Sequence, residues 1–238
     1  MIIEYVLIYF SVICREQLSK VYQVNISELV LRKVVLSDLQ ENAYVVSLKG
    51  SSDCVIIDPG MSPSPLFELL KMYHLNPQAI LVTHGHWDHI GGIPFLRNVW
   101  PMLTVMIGRN EQYKLTDPNS NLSSVLGFPT IIPGNVKTLS NGESFEVAGL
   151  KFLTLDIPGH SCGHIGFLVK TCDFPVFFCG DTLFFENIGR TDFADGNKDT
   201  LLESIRVKIL TLPDNTLLCP GHGPETTVLN ERRYNPYL

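Results

Sequence analysis

Apolar residues recur along this chain with the short periods that strands and helices impose. Residues 29–36 and 43–48 are β-branched and apolar runs separated by Ser37-Asp38-Leu39-Gln40-Glu41-Asn42, and they read as two strands with a hairpin-like connection. Residues 54–58 form a third strand ending in the turn Asp58-Pro59-Gly60. Residues 65–74 place Leu66, Leu69, Leu70 and Tyr73 at helical spacing before Asn76-Pro77 stops the pattern, and residues 79–83 are a short apolar run typical of a buried strand. Beyond them a helix-like spacing from Ile90 to Trp100 leads into a strand at 103–107. Residues 110–133 are polar, interrupted by proline and without a clear period, so a long loop is expected there. Short strands follow at 136–139, 144–147 and 151–156, with Asn141-Gly142 and Ala148-Gly149 as hairpin turns. Residues 165–170, 176–179 and 216–219 continue the sheet, and 198–210 is the second long helical pattern. Two antiparallel-rich sheets packed face to face, with helices outside, would cover all these apolar faces.

A chain of 238 residues that is 45% hydrophobic can bury a full core, and one α/β domain over residues 28–238 is expected. Residues 1–27 read as a peripheral segment. Within it, Ile2 to Ile13 is nearly all apolar, but it lacks a basic n-region and a cleavage site. A peripheral strand or a mis-assigned start is the first reading and a targeting or anchoring segment the second; the run is too short to span a membrane. The formal net charge of −6 argues against a nucleic-acid partner. Cys14, Cys54, Cys162, Cys172, Cys179 and Cys219 form no C-x-x-C pair and lie mostly in apolar runs, so they read as reduced, buried thiols of a cytoplasmic protein.

The chemistry concentrates at the end of strand 79–83. His84-Gly85-His86-Trp87-Asp88-His89 puts three imidazoles and a carboxylate into six residues. On extended backbone His84 and His86 project to one side, whereas the adjacent Asp88 and His89 diverge, so one ion cannot easily take all four. The spacing suits two neighbouring metals, with His84, His86 and a distant ligand on the first and Asp88 and His89 on the second. Three further strand ends carry a metal-type residue beside glycine: Pro158-Gly159-His160, Cys179-Gly180-Asp181 and Pro220-Gly221-His222. Glycine permits the close backbone approach that converging ligands need. Asp181, with two oxygens, can bridge two cations, which leaves His160 and His222 to complete one each. Asp58, at a strand end facing the same mouth, is expected to hydrogen-bond the metal turn and orient a ligand. His164 reads as support or packing, His74 as a surface residue, Cys162 as a structural thiol and Trp87 as packing.

These motifs, T-H-x-H-x-D-H with P-G-H, C-G-D and G-H-G, resemble the metallo-β-lactamase superfamily and within it the compact glyoxalase II-like branch, over roughly residues 30 to 238. The resemblance implies an αββα sandwich. It also implies His84, His86 and His160 on a first metal, Asp88, His89 and His222 on a second, and Asp181 between them. The activity it implies is hydrolysis of a small-molecule thioester, S-lactoylglutathione or a related hydroxyacyl thioester, by a hydroxide held between the metals. Asp88 and Asp181 carry the catalytic roles. Zinc is expected first, with iron or manganese as availability decides. Neither nucleic acid nor a membrane is expected as partner, and the oligomeric state is left open.

Two departures bear on the substrate. Members with clear glutathione specificity carry a C-terminal helical domain for which this chain has no room after His222, and Gly189-Arg190-Thr191-Asp192 stands in place of a G-K-F-Y-like segment. Weak discrimination among thiol carriers is therefore expected, with Arg190 pairing with a substrate carboxylate or else with Asp192 or Asp195. The alternative activity is that of the mononuclear iron persulfide dioxygenases of the same superfamily, which share a G-R-T-D-F segment like that from Gly189 to Phe193. Gly221-His222-Gly223-Pro224 and Asp181-Thr182-Leu183 depart from the A-H-D and D-A-L of that branch. A non-catalytic binding module is disfavoured by the complete ligand set.

Overall fold

The computed structural model describes residues 6–9, 20–37 and 39–238. The apolar stretch from Ile2 to Ile13 falls mostly outside them, as does Cys14, and of it only a strand at Val6–Tyr9 is defined. Two sheets pack face to face with helices outside each. The first has eight strands in sequence order: β1 (Val6–Tyr9), β2 (Lys20–Asn25), β3 (Leu29–Leu36), β4 (Glu41–Leu48), β5 (Asp53–Ile57), β6 (Asn76–Val82), β7 (Thr104–Gly108) and β8 (Val136–Leu139). Neighbours are antiparallel from β1 to β5 and parallel from β5 to β8. The parallel half requires crossovers on one face. Helix α1 (Ser64–Met72) crosses from β5 to β6, and α2 (Trp87–Ile90) and α3 (Ile93–Val99) cross from β6 to β7.

The second sheet is built from β9 (Ser144–Val147), β10 (Leu150–Asp156), β11 (Ile165–Val169), β12 (Val176–Gly180), β15 (Leu217–Pro220) and β16 (Thr226–Thr227), with β12 and β15 its one parallel pair. A small hairpin, β13 (Leu183–Phe184) and β14 (Asn187–Ile188), stands apart. Helix α4 (Lys198–Ser204), which continues as a wider turn to Ile209, and helix α5 (Val228–Tyr234) cover this sheet. Asn197 and Thr227 cap them, each side chain accepting an amide of the first turn.

Strand alternation sorts the apolar residues into layers. Leu31, Tyr44, Val46, Val55, Ile57 and Leu81 of the first sheet meet Phe152, Phe167, Val176 and Phe178 of the second in the central core. The opposite faces hold Val34, Val45, Ile56 and Ile80 against Leu66, Leu69 and Leu96, and Leu168, Phe177 and Leu218 against Leu201, Ile205 and Val228. Both faces of the middle strands are buried, which is why they read as continuous apolar runs. Each such side chain contributes about 1.5–3 kcal/mol on burial. The chain is thus an αββα sandwich, with more parallel pairing in the first sheet than expected.

Some expected boundaries move. Glu41 and Asn42 belong to β4, not to a connection, because they pair with Leu36 and Val35. Residues 21–25 pair with β3, and Val24 and Ile26 enter the central core, so the first sheet continues into the segment set apart at residues 1–27. Cys54, Cys179 and Cys219 are buried, but Cys162 and Cys172 are exposed because they lie in loops and not in strands.

Candidate metal centre

Every candidate side chain stands just beyond a strand, on one rim of the sandwich. After β6 the chain turns at Thr83, and Asp58, just past β5, fixes that turn. One Asp58 oxygen accepts the Thr83 amide at 2.8 Å; the other accepts the Thr83 hydroxyl at 2.7 Å and lies 3.2 Å from His89 Nδ1. Helix α2 starts directly after His86, placing Asp88 and His89 on its only turn. Across the mouth, His160 follows β10 through Gly159, whose φ is +135°. Asp181 follows β12 and His222 follows β15. The His222 loop is held from the first sheet: Asn42 Nδ2 donates to the carbonyls of Pro220 and Gly223 at 3.0 and 2.8 Å, and the Tyr44 hydroxyl donates to Pro220 at 2.8 Å.

The result is convergence of seven side chains. The ligand atoms of His84, His86 and His160 lie within 4.8 Å of one another, as do those of Asp88, His89 and His222, and those of His84, His89 and Asp181. Asp181 spans the groups, with Oδ1 3.4 Å from His89 Nε2 and Oδ2 3.7 Å from His160 Nε2 and 3.6 Å from His222 Nε2. Asp88 Oδ2 lies 3.4 Å from His222 Nε2.

The ring nitrogens of His84, His89, His160 and His222 that point away from the cluster are occupied, whereas His86 Nε2 is buried without a partner. Thr83 Oγ1 donates to Asp58, so it is an acceptor toward His84 Nδ1 at 3.1 Å. His160 Nδ1 donates to the Arg190 carbonyl at 2.8 Å and His222 Nδ1 to the Leu39 carbonyl at 3.1 Å. A ring that donates from Nδ1 keeps a lone pair on Nε2. Nε2 of His84 and of His89, and Oδ1 of Asp181, are buried without a hydrogen-bond partner. His86 Nδ1 and His160 Nε2 face each other at 3.0 Å. Bare buried polar atoms are costly unless something else satisfies them. Two triads of imidazole and carboxylate donors around a shared carboxylate fit a pair of divalent cations.

Burial pushes His84 well below its ordinary pKa, and burial with His160 nearby takes His86 down to about 3; both rings are held neutral, as ligands must be. Burial opposes the charge on Asp181, but His89 and His222 outweigh it and hold the carboxyl well below the usual range. Burial also opposes a charged His89, and Asp181 and Asp88 overcome it.

His164 is not in any of these groups. Its Nε2 accepts the Asp181 amide at 3.1 Å and its ring stacks on His84, so it fixes two members from behind. Arg190 is exposed and chelated by Asp192, Nε to Oδ1 at 2.6 Å and Nη2 to Oδ2 at 2.7 Å, so it is the Arg190 carbonyl that reaches the centre. The Trp87 amide donates to the Asn121 carbonyl, tying the 110–133 loop to the metal turn. Burial pushes the Cys162 thiol up, away from reactivity. The sequence pattern does not mark Phe193, whose ring centroid lies 4.6 Å from that of His86 and 5.2 Å from that of His160, forming a wall of the mouth. Nor does it mark Glu41, fully buried with both oxygens unpartnered; burial raises its carboxyl well above the usual range against the pull of His89. Neither carries a spacing signal, since each is brought to the site by the fold alone.

Two mixed sheets, outer helices and a rim of convergent histidines and aspartates define an αββα protein with a metal-binding type of cleft. The chain belongs to the metallo-β-lactamase superfamily: the family profile described as "Metallo-beta-lactamase superfamily" matches residues 36–222. It is 39% identical over 208 residues to the probable metallo-hydrolase YqgX of Bacillus subtilis, covering 87% of this chain and 96% of that one. It is 37% identical over 214 residues to the hydroxyacylglutathione hydrolase GloC of Haemophilus influenzae, covering 86% and 96%. Among solved structures it is similar to the BLEG-1 B3 metallo-beta-lactamase (TM-score 0.82, 38% identity, covering 87% of this chain and 99% of that one). It is also similar to TTHA1623 in a di-iron-bound form (TM-score 0.76, 35% identity, covering 87% and 99%). No helix among the described residues is long and apolar enough to cross a membrane.

Proposed function

We propose that this chain is a two-metal thioester hydrolase acting on S-lactoylglutathione or a related hydroxyacyl thioester. The observation that carries the two-metal reading is the pair of triads with Asp181 in reach of both, its Oδ1 3.4 Å from His89 Nε2 and its Oδ2 3.7 Å from His160 Nε2 and 3.6 Å from His222 Nε2. His84, His86 and His160 would hold one ion, Asp88, His89 and His222 the other, and Asp181 both. The likeness to GloC supports the thioester. TTHA1623 occurs in a di-iron-bound form, and the donor set here accepts zinc, iron or manganese, with zinc first on chemical grounds.

Two divalent ions bound there would polarise a carbonyl and make water nucleophilic near neutral pH. The chain's own residues supply orientation. Asp88, partly exposed at the mouth, directs the attacking water and receives its proton. Phe193 and the Arg190 loop, tied to His160 Nδ1, wall the acyl group. Water oxygen bonds to the carbonyl carbon as the C–S bond breaks, and the thiolate departs with the electron pair and is protonated by solvent. With a thiol pKa near about 8.5, that departure needs no strong general acid.

A one-metal dioxygenase would leave Asp88, His89 and His222 converging to no purpose. The test is metal content per chain combined with turnover. Two bound metals and hydrolysis of S-lactoylglutathione support the proposal. Oxygen uptake with glutathione persulfide at one metal per chain, without thioester turnover, overturns it.

A further inference from the structure

Behind the first triad lies a second buried cluster. Glu111 follows β7 and is fully buried; one carboxylate oxygen accepts the Gly85 amide at 2.9 Å and the other the Gly163 amide at 2.9 Å. Gly85 lies between His84 and His86, and Gly163 lies three residues beyond His160. One side chain therefore joins both loops that carry the triad. Lys114, also fully buried, sets its ammonium 3.2 Å from Glu111 Oε2 and 2.8 Å from Asp195 Oδ2, and that Asp195 oxygen accepts the Cys162 amide at 3.2 Å.

Glu111, Cys162 and Asp195 have ligand atoms close enough to suggest a further cation site, but Lys114 already supplies the cation. The loops close onto this cluster so tightly that only glycine fits. A Cβ on Gly85 would lie 2.5 Å from Lys114 Cβ, and one on Gly163 would lie 2.5 Å from the Asn110 carbonyl carbon. A carboxylate bound at both oxygens has a fixed orientation, and the Lys114 ammonium 3.2 Å away faces it from the third side.

We propose that Glu111, neutralised by Lys114, is a positioning residue that holds the His84–His86 turn and the His160 loop at one spacing, with Asp195 securing the outer end of the His160 loop. The proposal rests on the reading of His84, His86 and His160 as a metal triad. The clamp sets the 3.0 Å approach of His86 Nδ1 to His160 Nε2 before any ion arrives. It leaves the Asp88–His89–His222 triad untouched, because none of its contacts reaches those residues.

The test uses the full chain in two states. In zinc-free protein, amide hydrogen exchange is followed at Gly85 and Gly163; in the loaded protein, the two zinc-binding steps are resolved by competition with a chromophoric chelator. Glu111→Gln has one acceptor oxygen for two amides, and Glu111→Asp keeps the charge but falls short of one loop. Both variants should speed exchange at one or both glycines about tenfold or more and weaken the first zinc step about 10–100-fold, leaving the second unchanged. Asp195→Ala, altered near the surface, serves if the Glu111 variants do not fold; it removes the oxygen that accepts the Cys162 amide and should weaken the first step in the same direction. The proposal is overturned if the glycine amides stay protected, if both zinc steps weaken equally, if Glu111→Asp restores full affinity, or if only melting temperature changes. Should the wild type take up no zinc at either triad, the proposed function fails, and glycine exchange in the zinc-free chain alone decides the clamp.

Discussion

Asp58 and His89 lie on different elements, yet Asp58 Oδ2 is 3.2 Å from His89 Nδ1 while Oδ1 accepts the Thr83 amide. One carboxylate thereby fixes both the ring on α2 and the turn that presents His84. Removing it leaves His89 free to change tautomer and rotate. Asp58→Ala should weaken the second metal step about 10–100-fold, and Asp58→Asn, which can still accept from the Thr83 amide, should weaken it less. Chelator competition measures both; equal affinity in all three proteins would show that Asp58 serves only the turn.

A second expectation concerns backbone. Gly159 adopts φ +135°, and a Cβ there would lie 2.3 Å from both N and Cα of Leu201 in α4. Neither partner is a flexible side chain, so α4 or the His160 loop must move. Gly159→Ala should cost about 3 kcal/mol or more. Ser204→Ala, which deletes a hydroxyl donated to the Pro158 carbonyl at 2.7 Å in the same contact, should cost about 1 kcal/mol. Urea midpoints for the two variants check the order, and similar midpoints would mean the contact yields.

What could be read in the chain follows from range. The apolar runs of β4 to β7 and the hexapeptide from His84 to His89 are local signals, and they give strands and a paired-metal spacing directly, whereas the parallel pairing of β5 to β8 is not local and was not expected. His160, Asp181 and His222 were legible because each stands beside a glycine at a strand end, a pattern repeated three times. Their convergence follows from that pattern as an expectation, but the distances within the cluster depend on the packing of two sheets and are not local. Glu41 sits where a sequence reading expects a turn, and only its pairing with Leu36 in β3 turns it inward. Glu111 and Lys114 fall in a segment without period, so nothing local marks them as buried. The short β13, β14 and β16 and the C-terminal α5 lack enough periodic residues to register, and a tertiary contact such as Glu231 with the Thr226 hydroxyl fixes their place.

Acid should expose the outer end of the clamp. Burial works against the charge on Asp195, but the Lys114 ammonium and the Cys162 amide overcome it and hold the carboxyl down to about 2. An unfolded Asp titrates near about 3.9, so the folded value is the depressed one. Its contribution to stability is then present above about pH 4 and is lost as pH falls toward about 2. The melting-temperature gap between zinc-free wild type and zinc-free Asp195→Asn should be constant from about pH 7 to 5 and narrow below about pH 4. A gap as wide near the folded pKa as at neutral pH would mean the carboxylate's charge is not what Asp195 contributes.

Arg190 offers the sharpest test of substrate recognition. Its guanidinium is exposed and engaged by Asp192 through two hydrogen bonds, and it lies 4.7 Å from the centroid of the Phe193 ring that packs on His86 and His160. An exposed pair is screened by water and contributes little to folding, so exchanging Asp192 for a substrate carboxylate is inexpensive. A charge-assisted contact to bound substrate is stronger. Arg190→Ala should therefore raise KM several-fold for a thioester bearing a carboxylate, leave KM unchanged for one without it, and leave kcat and metal content intact. Asp192→Asn, by freeing the guanidinium, should lower KM for the carboxylate-bearing substrate. If Arg190→Ala instead lowers the melting temperature with both KM values unchanged, Arg190 is a tie within its own loop, and the carboxylate of the substrate is met elsewhere in the mouth.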